Sequence, residues 1–178
     1  MAVATGWLAR LESAEIRLCL RANRSCDRAS VLALFAVVSR LGDGVFWYGL
    51  MLALPVLYGK AGAVVALQLG AAGIVGLVVY RYLKQRLSRE RPCNLHPRIR
   101  AGARPLDRYS FPSGHTLHAV LFSLLTIGTF PALAWLLLPF TVLVALSRVI
   151  LGLHYPSDVI AGAMVGMALA QGFMALSN

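Results

Sequence analysis

Apolar residues run along this chain in stretches too long and too unbroken for the alternating faces of a water-soluble domain. No Asp, Glu, Lys or Arg interrupts residues 61–80, 116–147 or 159–176. A helix needs about 20 apolar residues to cross roughly 30 Å of hydrocarbon, so the first and last runs predict one crossing each. The middle run is too long for one crossing, and Gly128 with Pro131 supplies a break where two helices meet in a tight turn. Ahead of these, residues 29–39 and 45–58 are each short for a span, with Arg40, Gly42, Asp43 and Gly44 between them. They read as a helical hairpin whose polar corner reaches an interface, because backbone in lipid must be helical and charged ends snorkel outward. Six crossings follow.

The first 28 residues carry a different pattern. Trp7, Leu11, Ala14 and Leu18 recur at helical spacing, and Arg10, Arg17, Arg21 and Arg24 form a neighbouring stripe. A helix lying on an anionic lipid surface has this pattern, and an exposed terminal helix fits it equally. Glu12 and Glu15 in a long leading region, with no apolar core closed by small residues, do not make a secretory signal. The expectation is one all-α membrane domain over residues 1–178, with an amphipathic segment at 1–28 and a six-helix core at 29–178.

Composition agrees with a membrane setting. The 178 residues are 58% hydrophobic and 13% charged, against roughly 45–50% and 25% in ordinary soluble domains. Cys19, Cys26 and Cys93 show neither disulfide pairing nor metal-ligand spacing and are assigned no role.

Charge placement adds more than the net +10. Nine of the 17 Lys and Arg residues lie between Arg81 and Arg108. Such a loop reads either as the cytoplasmic face of a membrane protein or as a trap for an anion such as phosphate, which arginine forks fit well. Nucleic acid is disfavoured, since no binding module is recognisable and the aromatics lie mostly in the apolar runs. If crossings alternate sides, the loop after Tyr80, the helix start near His115 and the connection from Arg148 to Pro156 all emerge on one face.

Three segments on that face carry candidate chemistry. In KQRLSRERP, Lys84 and Arg91 stand two helical turns apart, and Pro92 ends the helix; taken alone, such cations at a membrane helix end are more often interface anchors. In YSFPSGHTLH, Ser113 is a natural N-cap and Gly114 lets backbone approach closely, so the helix start makes an anion cradle. His115 stands at its mouth, able to give up a proton, while His118, one turn deeper, reads as structural. In SRVILGLHYPSD, Pro156 suits a first helical position. His154 lies just ahead and Asp158 in the first turn, where a carboxylate fixes the tautomer and leaves the other ring nitrogen nucleophilic. A structural Arg148–Asp158 pair is the alternative. Two histidines and a ring of cations together describe phosphoryl transfer.

Lys84, Arg91-Pro92, Pro112-Ser113-Gly114-His115, Ser147-Arg148, His154 and Asp158 resemble the three-part signature of the type 2 phosphatidic acid phosphatase superfamily. The motifs cover residues 84–158. The resemblance implies a six-helix membrane enzyme, a hydrolase of phosphate monoesters or diphosphates, that works without metal or cofactor through a phosphohistidine. It implies that His154 attacks phosphorus, Asp158 orients it and His115 protonates the leaving alkoxide. Lys84, Arg91, Ser113, Gly114 and Arg148 hold the phosphate oxygens, and Arg98, Arg100 and Arg104 are candidates for a second phosphate or head group. The implied partners are membrane lipids and a lipid phosphate substrate: phosphatidate, phosphatidylglycerophosphate or a polyprenyl diphosphate.

Many relatives place the site outside the bacterial inner membrane, and an outward, periplasmic site is the expectation here. Seven cations remain beside the site once Lys84 and Arg91 are set aside, against six counted on the opposite face: Arg10, Arg17, Arg21, Arg24, Arg28 and Lys60. Three rivals share parts of the pattern: a lipid phosphotransferase, a vanadate-dependent haloperoxidase, and a transporter or non-catalytic lipid-binding protein. Haloperoxidase relatives are soluble and longer. Transporters place charges near mid-membrane on broken helices, whereas these gather at helix ends.

Overall fold

The computed structural model describes residues 6–105 and 107–177, so residues 1–5 and 178 of the two expected segments lie outside it. The described residues are helical apart from turns and the loop before residue 114. Helix α1 spans Gly6–Arg24 and α2 spans Ala29–Arg40; a wide turn at Leu41–Val45 leads into α3, Phe46–Leu87. A single-turn α4 (Pro92–Leu95) precedes the loop, followed by α5 (Gly114–Thr129), α6 (Ala134–Ile150) and α7 (Pro156–Ser177).

Gly59, in the left-handed region at φ 57, breaks α3 into arms of residues 46–58 and 60–87. The arms fold back on each other, and Gly62 packs so closely on the Leu54 carbonyl that no side chain fits between them. Tyr58 stacks on Phe130 across this end of the bundle at 4.1 Å.

The hairpin expected between residues 29–39 and 45–58 does not form. Ser39 meets Arg148, Gly42 meets Val144 and Phe46 stacks near Phe140, so residues 29–58 climb beside α6 as one kinked rod. The reason is local. Gly44, at φ 141, absorbs a bend without reversing the chain, and the polar groups of the corner find partners inside the bundle. Six long helical stretches result, but one of them is α1 where a second hairpin arm was expected. The rod is about 45 Å long at 1.5 Å per residue, so it outreaches the hydrocarbon, and Leu32 at its start packs by Gly102 of the loop.

This change moves the N-terminal cations. Helix α1 lies across the end of the bundle that carries His154: Glu15 bonds Arg89 and the Ser157 amide, and Asn23 bonds the Arg100 and Ile150 carbonyls. Arg10, Arg17, Arg21, Arg24 and Arg28 therefore share the site's end of the molecule, contrary to the expected count, and Lys60 stands at the other end beside Gly59.

Among the described residues, three helical stretches are long and apolar enough to cross a membrane: Ala29–Leu87, Pro131–Ile150 and Pro156–Leu176. The chain is a multi-pass membrane protein. Its apolar side chains point outward as well as inward, with Leu52, Val56, Leu67 and Trp135 all well exposed, as a surface facing lipid tails requires. Inside, small residues bring helices together. Gly162 and Gly166 of α7 press on the Ser113 and Leu117 carbonyls of α5, and Ser123 bonds Thr141 between α5 and α6 at 2.6 Å.

Candidate active site

Four helix ends converge beneath α1. The second arm of α3 delivers Lys84 from its last turn, then stops at Leu87 with Ser88 in the left-handed region. Arg91 is therefore extended (φ −76, ψ 150) and held ahead of Pro92, not on a continuation of the same helix as the spacing suggested. It nevertheless reaches Lys84's neighbourhood, because both cations bind one carboxylate. Asp107 accepts from Lys84 Nζ at 2.6 Å on each oxygen and from Arg91 Nη2 at 2.7 Å.

Ser113 caps α5 as expected, its Oγ 3.4 Å from the Thr116 amide. That hydroxyl is buried against Thr116 Oγ1 and stays out of the wall of the cavity, whereas Gly114 and His115 line it. His115 Nε2 contacts Asp43 Oδ1 across the bend of the first rod. His118, read as structural from sequence, bonds backbone on both nitrogens, Nδ1 donating to the Gly114 carbonyl at 2.9 Å and Nε2 lying 3.3 Å from that of Gly73, and it also borders the cavity.

At the end of α6, Arg148 is buried and donates to Ser39 Oγ. Gly152, at φ 71, turns the chain so that the His154 amide bonds the Arg148 carbonyl. His154 Nε2 lies 3.2 Å from Arg91 Nη1. A guanidinium only donates, so Nε2 bears the lone pair and the ring proton sits on Nδ1. Asp158 Oδ2 stands 3.6 Å from Nδ1, closer to an ion-pair spacing than to a hydrogen bond. The Asp158 carboxylate is instead bonded to Arg89 and the Tyr155 amide. Burial first, then the charges of Arg148, Arg91 and Lys84, hold the His154 pKa well below its ordinary value. The ring is neutral at pH 7, which a nitrogen nucleophile requires.

Lys84, Arg91, Asp107, Gly114, His115, Arg148 and His154 line one cavity of about 430 Å³. Its apolar part runs on between the arms of α3, past Trp47, Tyr48, Met51, Leu69 and Ile74. A polar head and a hydrocarbon tail would each find a matching wall. Of the three outlying arginines, Arg98 and Arg100 are exposed, and Arg100 pairs with Asp27 at 3.5 Å. Arg104 borders a neighbouring hollow with Ser39, Arg40 and Asp43. None of the three lines the cavity.

The sequence reading missed Asp43, Asp107, Arg89 and Glu15. The signal of the three carboxylates was scarcity. The chain holds seven Asp and Glu residues against 17 Lys and Arg, and Glu15, Asp43, Asp107 and Asp158 all gather here.

The family model of the PAP2 superfamily matches residues 61–178. The chain belongs to the PAP2 superfamily. It is 30% identical over 140 residues to an undecaprenyl-diphosphatase of Sulfolobus acidocaldarius, covering 78% of this chain and 66% of that protein. It is 37% identical over 98 residues to a decaprenylphosphoryl-5-phosphoribose phosphatase of Mycolicibacterium smegmatis, covering 54% of this chain and 51% of that one. The matches thus span between about half and two thirds of these relatives' length. The fold resembles a PAP2-type phosphatidylglycerolphosphate phosphatase of Bacillus subtilis, with a TM-score of 0.73 at 22% identity over 94% of this chain and 86% of that one. It also resembles Aquifex aeolicus LpxE, with a TM-score of 0.77 at 23% identity over 89% and 93%.

Proposed function

We propose that this PAP2 protein is a membrane lipid phosphatase that removes phosphate from a lipid monoester or diphosphate through a phosphohistidine. The observation that carries the reading is the single cavity in which His154 Nε2, His115 and three cations face one space that continues into an apolar groove. In this reading the substrate phosphate displaces Asp107 from Lys84 and Arg91. The Nε2 lone pair forms the N–P bond as the P–O bond to the lipid breaks, and His115 gives its proton to the departing oxygen. Water then attacks phosphorus, giving a proton back to His115 as its O–P bond forms and the N–P bond breaks, which restores both imidazoles and releases inorganic phosphate. Lys84, Arg91 and Arg148 neutralise the oxygens throughout, the main task in phosphoryl transfer. The relatives' names favour polyprenyl phosphates and diphosphates, and Arg104, in the neighbouring hollow that shares Asp43 with the cavity, is the remaining candidate for a second phosphate.

We further read the rods of residues 29–58 and 60–87 and helices α5, α6 and α7 as the membrane crossings, with α1 on the lipid surface. The sequence expectation is an outward, periplasmic site; the opposite orientation, with the site facing the cytoplasm of a bacterial inner membrane, is the reading we propose. What supports this is the one-sided distribution of cations, with the α1 arginines beside the site and Lys60 at the far end, under the positive-inside rule. In a cysteine-free chain, a cysteine at Arg100 should resist impermeant reagents in intact cells and one at Lys60 should react; the reverse pattern refutes the orientation.

The activity itself is tested by offering the purified protein lipid monophosphates and diphosphates with a chelator present. Released phosphate is expected from at least one lipid class, and none from any class contradicts the reading.

A further inference from the structure

The buried Asp158 carboxylate has two oxygens in two different settings. Oδ2 accepts from the Tyr155 amide at 2.8 Å and faces His154 Nδ1. Oδ1 accepts from Arg89 Nη1 at 2.8 Å. Arg89 is held on every side: Nη1 also reaches Ser157 Oγ at 2.7 Å, Nη2 donates to Glu15 Oε2 at 2.8 Å, and the guanidinium lies 3.9 Å from the Tyr155 ring centre. Glu15 in turn takes the Ser157 amide on Oε1 at 2.8 Å, so a carboxylate from α1 caps the first turn of α7.

We propose that Arg89 and Glu15 are positioning residues for the nucleophile, and that through them α1 is part of the catalytic apparatus. This rests on the phosphatase reading above. Arg89 fixes the rotation of Asp158 so that Oδ2 is presented to the imidazole. Glu15 fixes Arg89 and offsets its charge, so that the guanidinium does not drain the carboxylate's attraction for the Nδ1 proton. Burial opposes charge on Arg89, yet the two carboxylates outweigh it and hold its pKa above the ordinary value, which keeps the middle of the relay cationic. The outer side of α1 carries Trp7, Leu11 and Leu18, each more than half exposed, with the arginine stripe beside them. That surface suits an anionic lipid layer, and a helix held there holds Glu15 in place over the site.

The test uses the full chain in detergent and in vesicles, with Glu15→Gln, Arg89→Gln, the double variant and a Lys60→Gln control at the far end of the molecule. Each single substitution is expected to lower kcat about tenfold or more, with KM and the inhibition constant of orthovanadate within about twofold, because the phosphate seat is untouched. The double variant is expected to be no slower than Arg89→Gln, since Glu15 acts through Arg89. The acidic limb of the kcat/KM profile should move to lower pH in Glu15→Gln and to higher pH in Arg89→Gln. Lys84, Arg91, Arg148 and His115 also face His154 and are the same in all variants. Lys60→Gln should match wild type. Additive losses, an unmoved acidic limb, or a kcat loss that tracks a lowered melting temperature and a raised vanadate constant would overturn the relay. Variants as fast as wild type would overturn it alone, whereas an inactive wild type would overturn the phosphatase reading beneath it.

Discussion

Asp107 Oδ1 lies 2.6 Å from Lys84 Nζ and 2.7 Å from Arg91 Nη2, so a loop carboxylate holds together the two cations that the phosphate is proposed to bind. Burial alone would raise its pKa, but bonds and charge from Lys84 and Arg91 outweigh this and hold it below the usual carboxylate range. It is an anion at any working pH.

Asp107→Asn leaves those cations without their counter-charge. Orthovanadate should then bind about tenfold more tightly, a gain of about 1.4 kcal/mol, and the melting temperature should fall. Titration of vanadate inhibition checks this; unchanged affinity would show that Asp107 is not displaced.

The contact between His115 and Asp43 places a carboxylate on the proposed acid. Asp43→Asn and His115→Ala should lower kcat by about 10²-fold or more on an alkyl lipid phosphate. On p-nitrophenyl phosphate, whose leaving group needs no proton, the loss should be much smaller. Equal losses on both substrates would assign these residues a structural task.

His154 predicts the pH dependence. Its folded pKa lies well below 6.5, so kcat/KM should persist below pH 6.5 and fall only in more acid solution. For stability, the unfolded chain takes up a proton near pH 6.5 while the folded chain does not. This group's contribution is therefore full above that pH and is lost as pH falls towards the folded pKa. Asp107, lowered from 3.8, loses its contribution only as pH falls below about that value. Melting curves in detergent should show the first loss, and His154→Ala should lessen it.

Gly162 and Gly166 set how closely α7 approaches α5. Gly162→Ala and Gly166→Ala drive a methyl group into the Ser113 or Leu117 carbonyl, and each should destabilise the fold by about 1–3 kcal/mol. Gly172, with nothing within 4 Å of an added Cβ, should accept alanine without loss. Thermal melting of the three variants decides.

Elements whose boundaries are fixed by local chemistry were legible in the sequence. Pro156 opens α7, Ser113 caps α5, and the turn at Pro131–Leu133 separates α5 from α6 where Gly128 and Pro131 marked a break. The bend at Gly42–Asp43–Gly44 was not, because glycine pairs permit reversal and kink alike. Only the packing of Ser39 and Phe46 along α6 selects the kink. The expected cation count at the two ends changed with it, since one crossing fewer returns every α1 arginine to the site's end. The motif residues were legible by spacing, but their partners Asp43, Asp107, Arg89 and Glu15 were not. Those contacts join residues up to 142 positions apart, and no local pattern announces them.

Covalent capture of phosphate on His154 is the most direct measurement. Protein mixed with a lipid phosphate carrying labelled phosphorus, quenched in alkali and digested, should show label on the peptide containing His154. His154→Ala should show none, with phosphate release reduced at least about a thousandfold. Label on any other residue, or phosphate release by His154→Ala at the wild-type rate, would contradict the account.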